Sequence, residues 1–126
     1  MSKPKETIIT EYHASAVALA QITSTKFGST IPAGKCRYVI GIILSAAAAQ
    51  RFAIYLGETG SASSTTLLMV NLPADTVEVI GSMDPEKPVL VCRPQTAAGG
   101  STKTQNILGI GHETSAIDCT MVYYDA

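Results

Sequence analysis

The most hydrophobic stretch of the chain, residues 31–58 (IPAGKCRYVIGIILSAAAAQRFAIYLGE), most limits what the chain can fold into. A transmembrane helix needs about 20 consecutive apolar residues. Arg37 on one side and Gln50 with Arg51 on the other enclose only about a dozen, which is too short for that span. We therefore do not expect this stretch to cross a membrane.

The residue types within this stretch favour strands over a buried helix. Residues 38–43 (YVIGII) are mostly β-branched or aromatic, and Gly41 would weaken a helix by about 1 kcal/mol. Residues 52–56 (FAIYL) alternate so that Phe, Ile and Leu share one face of a strand. We therefore predict two antiparallel strands joined near the alanines of residues 45–50.

The same alternation of apolar runs and turn residues continues along the chain. In residues 76–82, Val77 and Val79 alternate with Thr76 and Glu78, which is typical of a half-buried strand. Turns are predicted where Gly, Pro, Ser or Asp cluster, at 57–64, 73–75, 84–88 and 95–103. Further strands are predicted at 65–72, 76–82, 89–94, 104–112 and 116–125, and 16–25 is ambiguous between a strand and a short helix, with a strand favoured.

About seven or eight short strands with turn residues between them predict an all-β fold, either an antiparallel β-sandwich or a jelly roll. A chain of 126 residues is long enough for one domain with its own core. We assign residues 16–126 to this domain and residues 1–15 to an extended N-terminal arm. The arm is expected to lie against a neighbouring subunit, and the alternative is an edge strand formed by residues 7–12.

Composition and charge argue against several classes of partner. Charged residues make up 15% of the chain, and the nine basic and ten acidic residues are scattered, giving a net charge of −1. Neither a nucleic-acid footprint nor a basic membrane patch is therefore expected. Low charge favours association, so an assembly component is more consistent with this composition than a monomer. Residues 1–13 contain no apolar segment of a secretory signal, so synthesis in a cytoplasm is expected.

The three cysteines, Cys36, Cys92 and Cys119, lack the paired spacing of a zinc site or a disulfide framework. Strand parity places Cys36 and Cys119 with inward-facing neighbours and leaves Cys92 as the most exposed thiol. An odd number of cysteines leaves one unpaired within the chain. Cys92 is therefore the candidate for an intermolecular disulfide.

No motif in the sequence predicts catalysis, a metal or a cofactor. His13 and His112 have no zinc-type spacing, and the HE pair at residues 112–113 lacks a second histidine at position 116. Residues 60–64 and 99–102 do not match a nucleophile elbow, and residues 100–104 lack the glycine that precedes lysine in a P-loop. We therefore expect a protein that is not an enzyme.

Carboxylates and aromatic rings give no firmer indication of an active site. Glu58, Glu78 and Asp118 could form the acid pair of a glycosidase, but solvated strand positions explain them equally well. The chain has no tryptophan and only five tyrosines and two phenylalanines, which weakens the case for a sugar-stacking platform.

Four segments together resemble small β-sandwich virion proteins of tailed bacteriophages, especially head-decoration or cement proteins and related tail modules. These segments are 31-IPAGKCRYVIGIILS-45, 52-FAIYLGETG-60, 69-MVNLPADTVEVIG-81 and 120-TMVYYD-125. The resemblance covers about residues 28 to 126 and lies in the style of strands and turns.

The resemblance implies a non-enzymatic virion protein that binds the outer surface of an icosahedral capsid and stabilises it. Its partners would be the major capsid protein and itself, as a homotrimer at local threefold junctions, with no nucleic acid or membrane. The arm would contact the capsid or a neighbouring subunit through Lys3, Lys5, Ile8, Ile9 and Tyr12, unless these residues form an edge strand of their own subunit. The alternative is a carbohydrate- or receptor-binding module of a tail or adhesin, and a capsid shell protein is a third possibility.

Overall fold

The structure, a computed structural model, describes residues 8–15, 26–27, 30–57, 64–96, 104–112 and 117–126. These ranges contain strands and loops and no helix, and hence no helix that could cross a membrane. In chain order the strands are β1 (Ile9–Ser15), β2 (Lys26–Phe27), β3 (Arg37–Ala46), β4 (Gln50–Gly57), β5 (Ser64–Leu72), β6 (Thr76–Ile80), β7 (Leu90–Cys92), β8 (Gln95–Thr96), β9 (Thr104–Gln105), β10 (Ile107–His112) and β11 (Ile117–Asp125).

The strands form two antiparallel sheets that pack through a shared apolar core. Sheet A has five strands in the order β1-β11-β3-β6, with β7 also paired to β3. Sheet B has four strands in the order β2-β10-β4-β5, and β8 pairs with β9 in a separate ladder. The all-β sandwich prediction is confirmed, whereas the jelly roll and the extended arm stay predictions. Residues 16–25 lie outside the described residues.

The two strands predicted in the hydrophobic stretch exist, but they are not paired with each other. β3 is an interior strand of sheet A, and β4 is an interior strand of sheet B. Residues 47–49, all alanine, connect them. Small side chains suit either a tight hairpin or a passage from one sheet to the other, so the sequence alone did not distinguish the two connections.

The core lies between the inner faces of the two sheets. As predicted, Phe52, Ile54 and Leu56 share the inner face of β4, and each is at most 2% exposed. Ile42 and Leu44 of β3 lie on the inner face of the opposite sheet and are fully buried. Complete burial of each such side chain contributes about 1.5–3 kcal/mol, so contact between the sheets is the main source of stability.

A β-bulge in β3 determines which residues of this strand face outward. Val122 of β11 lies opposite Gly41, but the next residue, Tyr123, lies opposite Val39, so Ile40 is an extra residue. Because of this extra residue, Val39 and Ile42 both contribute to the core. A strict alternation along β3 would have put one of them outside.

A buried ion pair lies at one end of the core. The Arg37 side chain is fully buried, and its Nε and Nη2 donate to Oδ1 and Oδ2 of Asp125 at 2.8 and 2.9 Å. The guanidinium also lies 4.2 Å from the ring centroid of Tyr123. A buried charge needs such partners, because leaving it unpaired would cost about 3–5 kcal/mol.

The loop at residues 81–88 returns over sheet A and depends on two glycines. Gly81 has a φ of +91°, and a Cβ there would lie 2.5 Å from the carbonyl oxygen of Ile40. The same oxygen accepts a hydrogen bond from the N–H of Met83 at 3.0 Å. A Cβ at Gly41 would overlap Sδ of Met83, so the methionine side chain occupies the space above this glycine.

We predict that Gly81→Ala lowers the free energy of unfolding by about 3 kcal/mol or more, because it combines an unfavourable φ with a clash against backbone. Gly34→Ala is the matched control, since Gly34 has a φ of +77° but no atom within 4 Å of the position that a Cβ would take. In this control the free energy of unfolding should fall by only about 1 kcal/mol. Urea unfolding of both variants gives the comparison, and equal losses would contradict the packing described for the loop.

Candidate interaction surface

The outward-facing side of sheet A is a broad and nearly uncharged surface, which we call the A face. Register across the ladders places a row of four residues side by side on it, namely Tyr12, Thr120, Ile43 and Val79. The A face comprises Thr10, Tyr12, Tyr38, Ile43, Ser45, Val77, Val79, Val91, Asp118, Thr120, Val122 and Tyr124. Asp118 is the one charged residue among these twelve.

Exposed apolar side chains concentrate on this side of the molecule. Of the six large apolar side chains that are exposed in the described part of the chain, four belong to the A face: Tyr12 (65%), Val77 (66%), Val79 (58%) and Val91 (50%). Ile8, 47% exposed, directly precedes Ile9, which packs against the core, so alternation puts Ile8 on the A-face side. Only Met69, on the outer side of sheet B, lies elsewhere.

The half-buried strand predicted at residues 76–82 is present as β6, but its valines are on the exposed side. Val79 lies opposite Ile43, whereas Glu78 lies opposite the core residue Leu44. Ile80 packs against the core in place of the valines. A period of two residues shows which side chains share a face, and the pairing partner decides which face is buried.

The loop at residues 81–88 covers Tyr124 and Gly41 in one half of the A face, where Val91 stays exposed, and leaves the other half open. Tyr38 and Tyr124 stack with ring centroids 5.1 Å apart, and the Tyr124 hydroxyl donates to the carbonyl oxygen of Pro85 at 2.8 Å. Tyr124 is only 6% exposed as a result. The open half is therefore the part around Val77 and Val79.

A shallow depression of about 360 Å³ lies at the end of the open half, and we call it the acidic corner. Asp118 accepts a hydrogen bond from the Tyr12 hydroxyl at 2.5 Å, and this bond raises the pKa of Tyr12. Asp75 enters the depression from the turn after β5, where its N–H donates to the carbonyl of Ala46 at 2.9 Å. The acidic corner is lined by Ser45, Ala46, Ala47, Asp75, Thr76, Val77 and Asp118.

The two carboxylates of the acidic corner have no cationic partner in the described part of the chain. The ion pair that the described residues form joins Arg37 to Asp125. This pair lies at the end of β3 that is farther from the acidic corner. Asp75 and Asp118 therefore leave negative charge beside an apolar surface.

The residues predicted for the arm fall in different places. Ile9 packs against the core from β1, while Ile8 and Tyr12 are exposed. β1 is an edge strand paired with β11 of the same chain, which is the alternative predicted for residues 7–12. Lys3 and Lys5 lie outside the described residues, so their contacts stay predictions.

The structure describes only some of the residues that were considered for chemistry. No group of three or more potential metal ligands occurs among the described residues. His13 is in β1 and His112 ends β10, and the side chains of both lie outside the described part, as does Glu58. Asp118 is exposed, whereas Glu78 is half-buried.

The predicted exposure of Cys92 is wrong. Cys92 is 1% exposed and Cys119 fully buried, and burial raises the pKa of each thiol to about 12. Cys92 lies opposite Arg37 on the inward side of β7, so Val91 takes the outward position. The more exposed thiol is Cys36, which is half-buried and accepts a hydrogen bond from Nε of Arg93 at 3.5 Å.

We predict that a thiol reagent such as Ellman's reagent labels one cysteine rapidly in the folded protein and all three after denaturation. Cys36→Ser should remove the rapid phase, and Cys92→Ser should retain it, because burial suppresses the Cys92 thiolate and blocks access. Absorbance at neutral pH measures both phases. Rapid labelling that disappears in Cys92→Ser instead would contradict the burial of β7.

No family model matches the sequence, and neither a curated protein nor a solved structure is significantly similar to it. The fold and the A face are therefore the features of the molecule that bear on its function. The sequence reasoning missed this surface, although a signal was present: Val77 and Val79 share one side of a short strand whose other side carries Glu78.

Proposed function

We propose that the protein is a structural virion component that binds the outer surface of an icosahedral phage capsid and stabilises it. The observation that supports this most is the open half of the A face. Its valines are more than half exposed, and no charged side chain interrupts the row from Tyr12 to Val79. The major capsid protein is the proposed partner.

An apolar outer face favours a protein partner for physical reasons. A sheet normally has one face on the core and a polar face in water. Contiguous exposed apolar surface instead marks an interaction site, because water leaves it favourably when another surface covers it. β-Branched side chains such as Val77, Val79 and Ile43 also suit packing against a second sheet.

The size of the open half suits a contact that is repeated many times. Four strands spaced about 4.8 Å apart give a surface roughly 20 Å wide, which is small for an interface that must be stable alone. On a capsid each contact recurs by symmetry, and linked copies bind together more tightly than single ones. The homotrimer implied by the resemblance would supply this linkage.

A carbohydrate- or receptor-binding module is the second candidate, and one observation favours it. Tyr12 is 65% exposed and hydrogen-bonded to Asp118. An exposed ring beside a carboxylate and the Ser45 hydroxyl is a combination that sugars can use. This function predicts binding to a glycan array that Tyr12→Ala abolishes, whereas capsid decoration predicts no such binding.

The test is co-sedimentation of the purified protein with capsids of the encoding virus that lack accessory proteins. We expect Val79→Lys to weaken binding about tenfold or more, because a lysine would place a charge in an apolar contact. Met69→Lys is the control, since Met69 is 49% exposed on the outer side of sheet B.

Both substitutions are at exposed positions and should leave the free energy of unfolding within about 0.5–1 kcal/mol of the original. Equal binding by Val79→Lys and the unmodified protein would overturn the assignment of the A face. Loss of binding by Met69→Lys alone would move the contact to sheet B.

A further inference from the structure

One edge of sheet B is a long strand without charge. β5 is the last strand in the order β2-β10-β4-β5, and among the described residues it pairs with β4 alone. Its nine residues, STTLLMVNL, include no acidic or basic side chain and no proline. Charge, proline or short length usually protects an edge strand, because its free N–H and C=O groups can pair with another chain.

The other edge strands in the described part of the chain have such protection. β1 carries Glu11, and β6 has only five residues, which include Glu78. β7 has three residues and β2 has two. β5 is therefore the edge at which a further strand can pair over the greatest length.

The regular part of this edge is residues 68–72 (LMVNL). β4 pairs with β5 without interruption from Gln50 to Ile54, and Leu67 is then an extra residue in β5. A bulge of this kind bends the strand and interrupts regular pairing. At the other end Pro73 follows, and proline has no N–H to donate. A strand added to this edge is thus limited to about five residues.

The core is open at this edge. Val70 lies opposite Phe52 of β4, which is fully buried. Leu68 lies opposite Ile54, which is also fully buried. Leu68 and Val70 pack against the same core but stay half-buried. A further strand beside β5 would remove these two side chains from water, which is favourable.

The pattern of residues 68–72 suits pairing with itself. When two antiparallel copies are aligned about a two-fold axis at Val70, each Leu68 lies opposite Leu72 of the second copy. The two Val70 side chains then lie opposite each other, and Met69 lies opposite Asn71. The inner side is apolar in both copies, and no like charges meet. A shift by one residue would put inner side chains opposite outer ones.

We propose that two copies of the protein associate by antiparallel pairing of residues 68–72, which joins their two B sheets into one continuous sheet. Main-chain hydrogen bonds hold a strand added in this way, and its alternate side chains determine which strand fits. The association does not require that the A face binds a capsid.

The two-fold axis of this dimer is perpendicular to the joined sheet, so both copies keep sheet A on the same side of it. The two A faces therefore point in the same direction, and one dimer can contact a single surface at two places. Two-fold pairing closes with two copies. It is therefore distinct from the homotrimer that the resemblance implies.

The contact is narrow and uncharged, and both properties determine how the dimer should behave. Five residues of a strand extend about 17 Å, which is small beside interfaces of about 1,200 Å² or more that are stable alone. We therefore expect a weak dimer that forms between about 10 μM and 1 mM protein. Because no ion pair is involved, salt should change its stability little.

The first experiment is sedimentation equilibrium of the full chain over this range, with reductant, in about 50 mM and about 500 mM salt. We expect a monomer–dimer equilibrium. Val70→Lys should weaken it at least tenfold, because two lysines would meet at the axis. Val79→Lys is the control, since Val79 is exposed on sheet A, and it should leave the equilibrium unchanged.

Cross-linking tests the register without depending on the lysine variant, which changes a half-buried position. Cys36→Ser first removes the more exposed native thiol. Val70→Cys then places two thiols opposite each other, with Cα atoms about 4.5–5.5 Å apart, and diamide should link them into a dimer that reductant separates. Thr66→Cys is the control, because Thr66 is exposed on the same strand and its two copies would lie about 27 Å apart.

A monomer at about 1 mM, a trimer, or equal cross-linking of Val70→Cys and Thr66→Cys would overturn the proposal. Failure here is separable from failure of capsid binding, because the capsid assay is run on dilute protein. Val79→Lys should dimerise without binding capsids, and Val70→Lys should bind capsids as single copies.

Discussion

Burial of the inner side of β3 in the core determines how sheet A is built and which of its residues face outward. This strand pairs with β11, β6 and β7, so it holds most of sheet A together. Its inner residues Ile42 and Leu44 pack against the inner face of sheet B. At one end of the core, the buried Arg37 of the same strand forms an ion pair with Asp125. Because a strand has two sides, committing one side to the core leaves Ile43 and its cross-strand neighbours facing outward.

The apolar side chains next to Ile43 on the A face distinguish this sandwich from one whose outer face is polar and solvated. Val79 and Tyr12 extend the outward row from Ile43 to both edges of sheet A, and both are more than half exposed. Exposing apolar surface of this kind to water is unfavourable in free energy. Contact with another protein removes this surface from water and is therefore favourable. The loop at residues 81–88 protects one half, so the open half defines where a partner would bind.

The sequence predicted the strand content well, because β-branched runs and turn residues report local preference directly. It failed where distant pairing decides the result. The connection between β3 and β4 looked like a hairpin, since nothing in an alanine run indicates a change of sheet. Cys92 was placed on the wrong side, and the buried side of the strand at 76–82 was left undecided, for the same reason. Alternation fixes which residues share a face, and only the cross-strand partners Arg37 and Ile43 decide the direction of that face.

Footprinting with a photoactivated carbene tests most directly whether the A face contacts another protein. Labelling would be compared between the isolated chain and the same chain mixed with the phage capsid proposed as its partner. Contact through the A face predicts that Val77, Val79 and Tyr12 lose most of their labelling with the capsid while Met69 keeps its own. Unchanged labelling of the two valines, with protection confined to Met69 and sheet B, would contradict it.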